Sequence, residues 1–218
     1  MAIEAGHQNT DDGDGGGSAR DRRADFIEAT LACMADHGHQ GTTVRRIADY
    51  AGVVPGLLTH YFSGKDALVA AAYREMSDRL HRHVVEVVEA AGADPVARLS
   101  AFLATSFRPP SFEPMQLKLW VGYWSFVLSD PAVRRIHAET YSRYRVMVVS
   151  LVRPVLETTG RPADEREVDA LAIGISALLD GLWLEHGLDA SAFGSSDAER
   201  IAREMIGARL GIDLSVCA

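Results

Sequence analysis

Apolar residues recur along this chain at three- and four-residue intervals, and no run alternates long enough to read as a strand. The pattern is sharpest between Thr42 and Leu68, TTVRRIADYAGVVPGLLTHYFSGKDAL. Val44, Ile47, Ala48 and Ala51 give a first short helix one apolar face. Thr42 or Thr43 can cap it by accepting from first-turn amides, and Gly52 can close it in the left-handed conformation. Pro55 suits the first turn of a second short helix, where its missing N–H costs nothing. Leu57, Leu58, Tyr61 and Phe62 offer more apolar surface than so small a helix can bury alone. Ser63 with Asp66 resembles a capping box opening a third helix. Two short helices around a glycine turn match a helix-turn-helix, whose second helix enters the major groove of DNA. The same spacing also suits ordinary helices of an all-α domain.

The flanking pattern is helical too. Residues 1–19, rich in Gly, Asp and Ser, lack apolar periodicity and are expected to be disordered. A first helix over about 22–36 carries the stripe Ile27, Leu31, Met34 and ends at His37-Gly38. Arg20, Arg22 and Arg23 open it, where they oppose the helix macrodipole, and phosphate contact would give that mismatch a purpose. A long helix over about 65–91 follows, closed by Gly92. His81 and His83 on it are two apart, do not share a helix face, and are read as solvent-exposed. Asp94-Pro95 and Asp130-Pro131 each supply a cap with proline in the first turn, opening helices over about 95–107 and 131–158. A helix over about 113–128 lies between them, and Pro154 is expected to bend or shorten the later one. After a break at Gly160 and Pro162, helices are expected over 164–186 and 197–210, the last opened by a capping box at Ser196–Glu199. The fold class is all-α: a three-helix helix-turn-helix domain at residues 20–66 after the tail, then a helical domain at 67–218.

Composition narrows the function. The 218 residues are 47% apolar and ample for a substantial core. No apolar run is long enough to cross a bilayer and no secretory signal opens the chain, so a cytoplasmic protein is expected, with no membrane association. Cys33 and Cys217 lie too far apart in sequence to suggest a metal site or a disulfide framework. The net charge of −8 argues against nucleic acid until it is counted by segment. Residues 1–19 carry four acids and no base, whereas residues 20–65 carry six bases against five acids, a net of +1. The candidate DNA reader is therefore the only part that is not acidic, which permits phosphate binding without proving it. No nucleophile motif, phosphate-cradling glycine loop or metal-ligand spacing appears, and an enzyme is not expected. No cofactor is expected either.

The wording AGVVPGLLTHYFSGKDAL closely resembles the signature of TetR-family transcriptional repressors, in its A-G-V, H-Y-F and K-D-x-L elements. The resemblance reaches back to Arg22 and so covers the amino-terminal domain. It implies DNA contacts from Thr43, Arg45, Pro55, Gly56, Leu57, Thr59, His60 and Tyr61, with Lys65 at the backbone beside the next helix's amides; Arg22 and Arg46 are read as further DNA-binding residues of this domain. Thr59 and Leu57 could touch a thymine methyl. The chain departs from the family at Val54, where Ser or Thr usually caps the second helix.

Two features mark the second domain. The stretch ALAIGISALLDGLWL is apolar nearly all round, with small residues that permit close approach, and must be buried on several sides. The TetR resemblance implies a homodimer through this helix, within 164–186, and the last, 197–210, placing two readers on a palindromic operator. Aromatic residues then gather with acids: Trp120, Tyr123 and Trp124 on one helix, Tyr141 on the next, and Asp180 beside Trp183 later. An aromatic core is the plainer reading. Together, though, ring faces and a carboxylate are what hold an organic cation. Here QLKLWVGYWSFVLSDPAVRRIHAETYSRYR and ALLDGLWLEHGL resemble the ligand-binding domain of the choline-responsive, BetI-like subgroup. The expected protein is a repressor released from double-stranded operator DNA by a small cationic amine such as choline or a polyamine. The alternatives are a neutral or fatty-acyl effector, or a helical adaptor that binds no DNA.

Overall fold

A computed structural model describes residues 15–160 and 164–215, with side chains from residue 22 onward. Among these, every regular element is a helix, in the order α1 (Gly15–Gly41), α2 (Val44–Ala51), α3 (Pro55–Tyr61), α4 (Lys65–Ala90), α5 (Pro95–Ser106), α6 (Pro114–Val127), α7 (Pro131–Thr158), α8 (Glu165–Leu188) and α9 (Ser195–Leu210). No described helix is long and apolar enough to cross a membrane.

Three apolar cores organise the chain. Phe26, Cys33, Ile47, Leu58, Phe62 and Leu68 close α1, α2, α3 and the start of α4 into a small bundle. A larger core joins α4, α5, α7, α8 and α9 around Phe102, Leu103, Val152, Leu171 and Ile206. Between them, Leu31 and Met34 of α1 pack with Tyr73 of α4, Trp120 and Tyr123 of α6 and Ile136 of α7. The helix-turn-helix is thus joined to the helical body by a shared apolar layer, backed by the Arg79 ion pair with Glu28.

Local chemistry explains most boundaries. Thr43 Oγ1 accepts from the Arg46 amide at 3.2 Å, capping α2, and Gly52 ends it at φ 65°. Asp94, Asp130 and Asp164 cap α5, α7 and α8 through their carboxylates.

Several expectations need correction. The first helix begins at Gly15, not near Arg22, so Arg22 and Arg23 lie inside it and the macrodipole argument for them lapses. The part of the predicted tail before Gly15 lies outside the described residues, as does Pro162. At Gly38 the backbone leaves the helix (φ 63°), as expected, but a last helical turn runs on to Gly41. Ser63 does not cap α4: Gly64 does, at φ 138°, a conformation only glycine adopts readily, and it offers no side chain to the first-turn amides. The last helix opens at Gly194, whose amide donates to Asp197 Oδ2 at 3.4 Å, rather than at Ser196. Pro154 does not shorten α7, which runs through it to Thr158. The carbonyl freed four residues earlier belongs to exposed Ser150, where water can satisfy it. His81 and His83 are half-buried, not solvent-exposed, and His83 Nε2 lies 3.2 Å from Thr105 Oγ1.

Candidate nucleic-acid interface and ligand cavity

The amino-terminal bundle presents one side of its two short helices to solvent. Leu58 is fully buried and anchors α3, whereas Pro55, Gly56, Thr59 and His60 face outward and Leu57 and Tyr61 are half-buried. Thr59 donates its hydroxyl to the Gly56 carbonyl at 2.8 Å. Val54, where a capping side chain is usual, is 72% exposed and caps nothing, so the first amides of α3 have no side-chain partner. Thr43, Arg45 and Arg46 are exposed on α2, and Arg46 also donates to the Gly41 carbonyl. Arg22 is exposed on α1. Lys65 is half-buried and donates to the His39 carbonyl at 3.3 Å, which leaves ammonium protons for another acceptor.

Arg23, read from the sequence as a phosphate contact, has a partner within the protein instead. Arg23 donates to the Tyr61 carbonyl at 2.8 Å and places its guanidinium 4.3 Å from the centre of the Phe62 ring. It ties α1 to the last carbonyls of α3, a role suited to a cation at a helix C-terminus. The run of arginines signalled charge; only the fold shows which one reaches the end of α3.

In the helical body, α4, α6, α7 and α8 enclose a cavity of about 70 Å³. Trp120, Tyr141, Asp180 and Trp183 line it, joined by Tyr144, Met147, Leu80, Ser77 and Ser111. Tyr123 and Trp124 do not. Tyr123 is fully buried behind the wall, stacked on Tyr73 with ring centres 4.5 Å apart. Trp124 packs behind Trp120, with ring centres 6.4 Å apart.

Asp180 is the one carboxylate in the lining. It accepts from the Tyr141 hydroxyl at 2.9 Å. Burial raises its carboxyl to about 6, against a smaller opposing effect of that hydrogen bond. Burial also pushes the Tyr141 and Tyr144 phenols well above their ordinary range, so both stay neutral. His81 is held below its ordinary value by burial and then by Arg143, and the Arg143 guanidinium is paired with Asp78. The result is an aromatic chamber lined by one acid, Asp180, and one permanent cation, Arg143, whose charge is paired with Asp78. Among the described residues, no group of His, Cys, Asp and Glu could hold a metal ion.

Helix α6 links cavity and reader. Trp120 lines the cavity, and six residues on, Phe126 packs against His39 with ring centres 3.8 Å apart. His39 in turn accepts from Lys65 at the start of α4 through its carbonyl.

A helix-turn-helix bundle seated on a helical body with an internal cavity defines a ligand-sensing DNA-binding regulator. Family comparisons agree. The family model "Bacterial regulatory proteins, tetR family" matches residues 26–72, and "BetI-type transcriptional repressor, C-terminal" matches residues 95–211. A protein named HTH-type transcriptional regulator BetI from Paraburkholderia phymatum is 32% identical over 186 residues, covering 85% of this chain and 91% of its own. Its namesake in Burkholderia lata is 31% identical over 198 residues, covering 88% and 95%. A solved structure described as a transcriptional regulator of Pseudomonas aeruginosa PAO1 superposes with TM-score 0.80 at 38% identity, covering 88% of this chain and 91% of that one. A regulator from Saccharomonospora viridis, solved in complex with choline, shares the fold at TM-score 0.75 and 18% identity, covering 86% and 96%. The chain belongs to the TetR family, with a carboxy-terminal domain of BetI type: it is a DNA-binding transcriptional repressor and not an enzyme.

Proposed function

We propose that this repressor responds to a small organic cation, which binds among Trp120, Trp183, Tyr141 and Tyr144 with its charge on Asp180 and lowers affinity for operator DNA. The observation that carries this reading is the lone buried carboxylate in an aromatic chamber. Ring faces attract a cation, and the carboxylate answers its charge without needing a donor from it. The chamber has room for several waters, at about 10–15 Å³ each, and so for a small organic ligand. The choline bound by the Saccharomonospora viridis regulator is in keeping with this class of ligand.

Residues 20–66 serve as the reader, and residues 67–218 sense the effector and dimerise. Arg45, Arg46, Pro55, Gly56, Thr59, His60 and Tyr61 meet the major groove and its phosphates, with Arg22, Thr43 and Leu57 at the edges. The α4 amides, left without a side-chain cap, take a phosphate beside Lys65. The dimer forms through α8 and α9, where Ile173 and Met205 are 54% and 57% exposed in the single chain. Residues Ala170, Gly174 and Leu178 line the groove between them. Two readers then lie on a two-fold axis and match a palindrome. Effector and DNA oppose each other through α6 and α4, with a coupling of about 1–3 kcal/mol.

The test is a fluorescence-anisotropy titration with DNA from upstream of the protein's own gene, at fixed salt, with choline, betaine aldehyde or spermidine. Palindrome-dependent binding relieved by one cation supports the reading. Binding indifferent to all three would leave the repressor without this effector class.

A further inference from the structure

We infer that small molecules reach the chamber through an open groove between α4 and α7, and that Arg143, held by Asp78, is the gate between the two. This rests on the chamber being the effector's seat, not on the effector's charge.

A ligand has to cross some wall to enter, and most of this wall is core. Val84 and Leu179 belong to the main core, and Trp120 to the layer beneath the reader. Displacing any of them leaves a void whose cost rises with its volume. Of the described residues that line the chamber, Arg143 alone is exposed, its side chain keeping 47% of its accessible surface. Arg143, His81 and Met147 also line the groove outside, which has a volume of about 420 Å³ against about 70 Å³ for the chamber. Val85, Val88, Val146 and Leu151 give that groove apolar surface.

The three shared residues form the partition. Arg143 reaches from α7 to α4 and pairs with Asp78, the neighbour of the lining residue Ser77. An ion pair this exposed contributes little, and exposed side chains change rotamer within nanoseconds. Met147 is unbranched and adapts its shape at small cost. One turn earlier, Arg74 and Glu139 make a second pair between α4 and α7, and neither lines the chamber or the groove. The helices therefore stay tied while Arg143 swings aside.

The test begins without an effector. Acrylamide, a small neutral quencher, reports access to the chamber indoles of Trp120 and Trp183 over a constant contribution from Trp124. Val146 is 66% exposed and lines the groove but not the chamber. Val146→Cys, in a protein carrying Cys217→Ser so that the other thiol is the buried Cys33, takes a benzyl methanethiosulfonate label that dithiothreitol removes. The label should cut quenching, and dithiothreitol should restore it in the same sample, which excludes misfolding. Asp78→Asn should raise the quenching rate by up to about fivefold, the value of an exposed ion pair expressed as a rate. Quenching indifferent to both the label and Asp78→Asn overturns the inference. Stopped-flow mixing with choline then separates a gate from a binding site. The label should slow association and dissociation alike and leave Kd unmoved, because a barrier on the path changes neither end state. A label that changes Kd while association is unaffected makes the groove part of the binding site and overturns the gate. Choline that fails to bind at all overturns the cation reading, while the acrylamide result still decides the route.

Discussion

Replacing Asp180 by asparagine should make the protein more stable and less responsive at the same time. Burial moves the carboxyl from its ordinary 3.8 to about 6. At about 1.4 kcal/mol per pH unit, keeping it ionised costs the folded state up to about 3 kcal/mol. The variant loses a charged acceptor for the Tyr141 hydroxyl, which returns about 1 kcal/mol. The net gain is about 2 kcal/mol. Its sign with pH follows from the raised value. Below about pH 4 the acid is protonated folded or unfolded, and the wild type bears no penalty. The penalty grows between pH 4 and 6 and is complete above. Urea unfolding at fixed protein concentration, at pH 4.5, 6 and 8, should show the two proteins alike at the lowest pH and furthest apart at the highest. An Asp180→Asn protein less stable than wild type at pH 8, or a gap that does not change with pH, would refute the assignment of Asp180 as a buried charge held for a ligand.

Three further outcomes follow from the same geometry. Choline affinity should fall as pH drops through about 6, approaching tenfold per unit below it, because the cation requires the ionised form of Asp180; calorimetry across pH 5–8 reads this directly. Arg23→Ala should cost about 1 kcal/mol and weaken operator binding, since it frees the end of α3 from α1; thermal melts and anisotropy together check it. Ile173→Glu places a charge on the exposed α8 face; it should leave the fold intact and shift sedimentation from dimer to monomer, and an unchanged dimer would move the interface elsewhere.

The parts legible in sequence are those set by local chemistry. Thr43, Gly52, Pro55, Asp94 and Asp130 punctuate the chain through caps and first-turn prolines, and their helices fall where they indicate. The boundaries that slipped were decided by glycine geometry: at Gly64 and Gly194 the chain turns into a helix without the side-chain cap that the neighbouring serines suggested. The cavity was half legible. Trp120, Tyr141, Asp180 and Trp183 meet at one chamber, and the aromatic-plus-acid composition pointed to it. Helical periodicity could not say that Tyr123 faces the Tyr73 layer, because both sides of α6 are apolar. Nor could it show that Arg23 reaches the Tyr61 carbonyl while its neighbour Arg22 does not, since adjacent residues differ by about 100° around a helix. The wall residues supplied by Ser77 and Ser111 carry no sequence signal, and only the fold brings them to Asp180.

The measurement that bears most directly on the account is operator affinity with and without saturating choline, in wild type and Asp180→Asn side by side. The account predicts that choline weakens wild-type binding by about tenfold or more and leaves the variant's binding unmoved. An equal shift in both proteins, or none in the wild type, would contradict the claim that a cation held by Asp180 controls this repressor.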